Sequence, residues 1–133
     1  MGFVDTCVLF AGFVKKDKYH KKAKKLLTEL SESKKKIFYS DYVLTETLTL
    51  TKKRKGKTEA NKLLDLLINS ELIMLKVEHK HLAMAIELFK KFDKLSFTDC
   101  TNIALMLDFG IKTLYSFDKD FDSIPKIIRK EEV

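Results

Sequence analysis

Asp5, Glu46, Asp99 and Asp118 lie far apart in a chain of 133 residues, and each is an acid that the surrounding pattern carries toward one place. Two like charges about 4 Å apart repel by roughly 4 kcal/mol at an intermediate effective dielectric, so carboxylates gathered in one pocket call for a cation. No histidine or thiolate joins them in the pattern, and an all-carboxylate set suits hard Mg²⁺ or Mn²⁺ rather than zinc. Such ions act on phosphates: they lower the pKa of a bound water, polarise a phosphoryl oxygen and stabilise a leaving oxygen.

The elements that must position these acids follow from hydrophobic periodicity. Gly2 to Val4 and Val8 to Val14 are apolar runs, which predict a buried strand entering a helix around Asp5 and Thr6. Tyr19, Ala23, Leu26, Leu27 and Leu30 recur at helical spacing, predicting an amphipathic helix over residues 18–32 with a lysine outer face. Ile37 to Tyr39 reads as a second strand, and Ser40 and Asp41 as caps of a helix reaching about Lys53, before Gly56 breaks the chain. Leu63, Leu64, Leu67 and Ile68 mark another helix, and Leu72 to Val77 a third strand. A helix over 79–92 follows, with Leu82, Ala85, Ile86 and Phe89 on its inner side. Ser96 or Thr98 caps the next helix, which runs to Asp108 and closes at Gly110; Lys112 to Tyr115 is a fourth strand, and Ile127 and Ile128 suggest a fifth. Strands alternating with helices predict one three-layer α/β/α domain over residues 1–133 with a central parallel sheet.

In open parallel sheets, ligands bind outside the carboxyl ends of the strands. Asp5 ends the first strand and Asp118 follows the fourth. Asp99 opens a helix that must run back against the fourth strand, which puts its first turn at the same edge. Glu46 lies about two turns into the helix leaving the second strand, beside Tyr42, Val43 and Leu50, and an inward carboxylate is rare unless it is paired or holds a metal. Structural readings stand beside these: Asp99 completes a Ser96-x-x-Asp99 capping box, Asp5 suits a turn, and Asp118, Asp120 and Asp122 suit a surface loop.

The chain carries 26 Lys and Arg against 19 Asp and Glu, a net charge of +7 that is unevenly spread. Residues 15–36 hold ten lysines and three acids, and residues 52–57 five basic residues and no acid, so the remainder is acidic. An anionic polymer is the natural partner of such a dipolar chain; Lys15, Lys16, Lys18, Lys21 and Lys22, with Lys52, Lys53, Arg54 and Lys55, are the candidates to bind backbone phosphates without reading sequence. A solvated helix face, or lysine richness suited to high temperature, is the plainer alternative. Cys7 and Cys100 fit neither a redox pair nor a zinc frame, and His20, His79 and His81, scattered among lysines, are expected in solvent. Neither a membrane span nor a secretory leader is expected, which makes a cytoplasmic protein the default.

Taken in order, Phe3-Val4-Asp5-Thr6-Cys7-Val8-Leu9, Leu44-Thr45-Glu46, Leu95-Ser96-Phe97-Thr98-Asp99-Cys100 and Ser116-Phe117-Asp118-Lys119-Asp120-Phe121 resemble the acidic motifs of the PIN domain, the nuclease fold of the toxins in VapBC toxin-antitoxin pairs. The resemblance implies Mg²⁺- or Mn²⁺-dependent endoribonuclease activity, homodimerisation and, for the toxin branch, inhibition by a small antitoxin. It implies a metal site of Asp5, Glu46, Asp99 and Asp118, with Asp120 as the alternative fourth acid and Thr6 and Ser116 orienting ligands and waters. Cys7 departs from the family's usual Asn or Ser; if it and Cys100 both approach the site, oxidation should lower activity. A dimer contact is expected on the helices around 42–50 and 63–68. The rival readings are a housekeeping RNA-processing or DNA-directed PIN nuclease and a non-catalytic nucleic-acid-binding PIN module.

Overall fold

Five short strands carry the architecture, and the first of them lies in the middle. The computed structural model describes residues 1–133, with strands β1 (Gly2–Val4), β2 (Ile37–Ser40), β3 (Ile73–Leu75), β4 (Thr113–Tyr115) and β5 (Ile128–Lys130). All neighbours are parallel, in the order β3-β2-β1-β4-β5. Phe3 is in register with Phe38 on one side and Leu114 on the other, which is why β1 is wholly buried and apolar while the edge strands β3 and β5 are largely exposed.

Six helices complete the α/β fold: α1 (Thr6–Phe13), α2 (His20–Glu32), α3 (Asp41–Lys55), α4 (Lys57–Ile68), α5 (His79–Lys91) and α6 (Phe97–Phe109). From β1 through β2 to β3 the chain steps one way across the sheet, and from β3 to β4 it crosses back. Right-handed crossovers therefore put α1 to α4 on one face and α5 and α6 on the other. The packing agrees: α1 lies on α2 and α3, α3 on α4, and α5 on α6. The reversal falls between β1 and β4, so the crevice at their carboxyl ends is the switch point where this class of sheet binds ligands.

Local chemistry sets the element ends. Gly110 closes α6 in a left-handed conformation, φ 69°, with its N–H donated to the Met106 carbonyl. Gly12 permits a close approach of α1 to α2, since a Cβ there would stand 2.5 Å from Leu27 Cδ1. The third strand is shorter than the run Leu72 to Val77 predicts because Asp41 Oδ1 accepts the Val77 N–H at 3.0 Å and draws the chain off the sheet.

The histidines depart further from expectation. His79 is exposed, but His20 is half-buried with Nδ1 2.8 Å from the Ala11 carbonyl oxygen. His81 is buried: its Nδ1 accepts the Glu78 N–H at 3.0 Å, so its proton sits on Nε2, 2.8 Å from Asp108 Oδ2. The inner face of α5 runs through His81 and Ala85, with Leu82 and Leu88 half-buried, and Ile86 and Phe89 are left exposed. The inward stripe is turned by about one residue, or 100°, from the predicted one, because burial of the His81 ring is secured by its two hydrogen bonds. No helix is long and apolar enough to cross a membrane.

Candidate active site

Asp5 leaves the carboxyl end of β1, and its backbone N–H is donated across to the Tyr115 carbonyl at 3.1 Å. Its side chain then caps α1. Oδ1 accepts the Thr6 N–H at 2.9 Å and the Asn102 amide at 3.4 Å; Oδ2 accepts the Ser116 hydroxyl at 2.8 Å and the Cys7 thiol at 3.4 Å. Burial pushes the Asp5 carboxyl up to about 6; the Ser116, Thr6 and Cys7 bonds pull it back, and the Glu46 charge pushes it up again.

Asp99 stands at the first turn of α6, and both readings of it apply. It forms the capping box with Ser96, whose N–H donates to Asp99 Oδ2 at 2.9 Å and whose hydroxyl accepts the Asp99 N–H at 3.1 Å. Its Oδ1 makes no hydrogen bond to protein. Burial, then the Asp5 charge, push its carboxyl up to about 7, with Asp118 adding to the rise and the Ser96 bonds opposing it.

Glu46 is half-buried on α3 and within electrostatic reach of Asp5. Asp118 follows β4, donates its N–H to the Ser116 hydroxyl at 3.0 Å and caps the 3-10 turn Lys119–Ser123 by accepting the Asp120 N–H at 2.9 Å. Asp120 is held through its backbone, by that bond and by the Ser123 hydroxyl on its carbonyl, while its carboxylate makes no hydrogen bond to the other acids. Along one carboxyl edge, Asp5 is thus within electrostatic reach of Glu46 and Asp99, and Asp99 of Asp118.

No three of the His, Cys, Asp and Glu side chains stand close enough to enclose a metal ion as they are arranged. The chemistry of the donors nevertheless fits a hard cation. The acids offer only oxygen, and burial first, then the neighbouring carboxylates, push Asp5 and Asp99 up, so a positive charge placed among them relieves both. Two buried oxygens beside Asp5, Thr6 Oγ1 and Asn102 Oδ1, also lack a partner in the protein.

Asn102 is the residue that sequence reasoning missed. It is wholly buried and reaches Asp5 from one turn beyond Asp99 on α6, and that i, i+3 spacing was the available signal. Cys7 does approach the site, with Sγ 3.5 Å from Ser116 Oγ and accepting the Phe117 N–H at 3.4 Å. Burial pushes its thiol up to about 12, and burial and Asp99 push the Cys100 thiol up to about 11, so neither is a ready thiolate.

The basic segments divide. Tyr19 stacks on Phe117 with ring centroids 4.6 Å apart, and Lys18 lies 4.9 Å over the Tyr19 ring, which brings the turn carrying Lys15, Lys16 and Lys18 beside Ser116 and Asp118. Lys53 lines a groove with Glu46 and Thr98, and Arg54 lies 5.5 Å over the Phe10 ring, while Lys52 and Lys55 are exposed at the end of α3. Lys21 and Lys22 do not face the acids: Lys21 borders Lys24 and Lys25 on α2, and Lys22 is 3.9 Å from Glu131. An apolar groove at the amino ends of β2 and β3, lined by Leu27, Leu63, Leu66, Leu67 and Ile73 among others, contains none of the acids.

The sequence matches the PIN domain family over residues 2–127, and the chain belongs to that family. Its fold is similar to that of Mycobacterium tuberculosis VapC20, a Sarcin-Ricin loop cleaving toxin, at 30% identity and a TM-score of 0.84, with 94% of this chain and 95% of that one covered. VapBC2 from Rickettsia felis, solved on a DNA fragment from its promoter, matches at 19% identity and TM-score 0.73, covering 97% and 96%. FitAcB from Neisseria gonorrhoeae matches at 14% identity and TM-score 0.73, covering 98% of each chain. No curated protein sequence matches the chain.

Proposed function

We propose that the protein is a nuclease of the VapC toxin type, an endoribonuclease that uses Mg²⁺ or Mn²⁺ and is paired with a small antitoxin. The observation that carries this reading is the set of four acids, from four different elements, at the switch-point edge, with Asp5 fixed by four hydrogen bonds. The similarity to VapC20 and to VapBC structures supports the toxin assignment.

A divalent cation, when bound, supplies Lewis-acid polarisation of the phosphoryl oxygen and lowers the pKa of water. Asp5, Glu46, Asp99 and Asp118 would hold it; Ser116, Thr6, Cys7 and Asn102 keep Asp5 in one rotamer so that no reorganisation is needed at the reaction. Asp99 offers Oδ1 while Oδ2 remains tied to Ser96. Lys18 and Lys53 flank the acids and would fix the backbone phosphates on either side of the scissile bond. Hydrolysis leaves a 5′-phosphate and a 3′-hydroxyl, with no covalent protein intermediate.

A homodimer belongs to this reading. Leu66 and Ile68 on α4 are more than half exposed and give an apolar face, whereas the apolar residues of 42–50 are buried or half-buried and leave Thr45 and Thr49 outward. The test of the function is incubation with total RNA, with and without Mn²⁺, and mapping of the cut ends. Metal-dependent cuts with 5′-phosphate ends, absent from Asp5→Asn, are expected; intact RNA at every metal concentration would sink the proposal.

A further inference from the structure

One stripe of α3 is only partly covered by the rest of the protein: Tyr42, Glu46 and Leu50 are half-buried, and Thr45, Thr49 and Lys53 are exposed. Tyr42, Thr45, Glu46, Thr49, Leu50 and Lys53 recur at spacings of three and four on a single helix face and, with Thr98 at the start of α6, line an open groove of about 460 Å³. Bare helix faces usually carry charge along their length. Along the helix this one carries, in order, a phenol ring, a hydroxyl, the Glu46 carboxylate, a second hydroxyl, a leucine and an ammonium. Thr45 and Thr49 are exposed, and the Thr49 hydroxyl has no protein partner.

We infer that this groove is a nucleotide subsite along which single-stranded RNA runs to either side of Glu46; the inference rests on the nuclease reading above and names how the substrate is held. The ring of Tyr42, four residues before Glu46, offers a π-face to one base, and Leu50, four residues after it, an apolar contact to another about 12 Å further along the helix axis. The Thr49 hydroxyl is free to meet a ribose, the Thr45 hydroxyl is donated to the Asp41 carbonyl at 2.9 Å and can only accept, and Lys53 takes a phosphate. Two features favour a nucleic-acid strand as the occupant. The groove is continuous with the acid cluster through Glu46, and it ends in the basic run Lys52, Lys53, Arg54 and Lys55. Glu46 and Lys53 are seven residues apart, about 10 Å along the helix axis, so a strand with one phosphate at the acids meets Lys53 at a later phosphate. A base reaches Tyr42 only if it is unstacked, which selects single strands and loops over a duplex.

The test is binding of a labelled mixed-sequence oligoribonucleotide to the full chain in EDTA, read by fluorescence anisotropy, so that cleavage plays no part. Thr49→Glu should weaken binding by tenfold or more while the melting temperature stays at the wild-type value. Tyr42→Leu, which keeps an apolar side chain without a π-face, should lose about tenfold, the range for one base-stacking side chain; Tyr42→Phe should bind like the parent. If Thr49→Glu and Tyr42→Leu both bind as the parent does, the subsite is overturned, and a rise in wild-type mass that Thr49→Glu abolishes would assign the groove to a second copy instead. Cleavage by the wild type with Mn²⁺ reports separately on the nuclease reading. Lost binding in a chain that never cleaves would support the subsite and refute that reading.

Discussion

The Asn102 amide stands 3.4 Å from Asp5 Oδ1 and donates to it from a side chain with no solvent exposure, so the helix that presents Asp99 also braces the acid opposite. Asn102→Ala leaves the fold its helix but removes that donor. The expected result is a loss of about tenfold in Mn²⁺ affinity, the usual cost of removing an outer-shell partner. Ser116→Ala, which removes the 2.8 Å bond to Oδ2, should lose at least as much. Calorimetric titration of the three proteins checks both.

Stability of the metal-free protein should fall as pH rises. Asp5 and Asp99 are pushed up to about 6 and about 7 from 3.8, so between about pH 4 and 7 the folded state keeps protons that the unfolded chain has released. Stability is fully present below the unfolded pKa and is lost through the folded pKa, on the order of 2–4 kcal/mol for the pair. Asp108 and Asp122 are held below the usual carboxylate range by His81 and Arg129 respectively, and act in the opposite sense at pH below that window. Thermal unfolding in EDTA should give a lower melting temperature at pH 8 than at pH 5, and Mn²⁺ should flatten the difference. A melting temperature that climbs across this range would contradict the burial of the two acids.

Asp5→Asn separates function from stability. The amide keeps the shape of the carboxyl and removes its charge, so cleavage should vanish while the metal-free variant at pH 8 gains up to roughly 2 kcal/mol. A denaturant midpoint measured beside an RNA cleavage assay reads both effects.

Replacing Lys52, Lys53, Arg54 and Lys55 together by alanine should weaken RNA binding at low salt and flatten its dependence on salt. If all four meet phosphates, the slope of log K against log salt drops by about 3. An unchanged slope would leave these residues a role in solubility alone.

The thiols should be quiet. With Cys7 pushed up to about 12 and Cys100 wholly buried, the folded protein should resist alkylation at neutral pH, and a Cys7→Ser, Cys100→Ser chain should respond to peroxide as the parent does. The oxidation effect expected if both cysteines approached the site would then be absent.

The order of elements was legible in the sequence because short apolar runs alternate with strongly periodic helices, and because Ser40, Ser96, Gly56 and Gly110 punctuate them with unambiguous local chemistry. The arrival of Asp5, Asp99 and Asp118 at one edge was legible because topology delivers strand ends and helix starts there. What resisted reading was anything set by a partner distant in the chain. The inward turn of α5 depends on His81 meeting Asp108, and the end of β3 depends on Asp41 meeting Val77. Asn102 looked like any polar residue in a helix until Asp5 was brought to it from 97 positions away.

That distance matters while the chain is being made. The four acids enter the polypeptide at positions 5, 46, 99 and 118, and the central strand β1 gains its second neighbour only when β4 has been added. A growing chain on the ribosome therefore has no complete set of these carboxylates until Asp118 has emerged, and the nuclease proposed above is inert up to that point of its own synthesis.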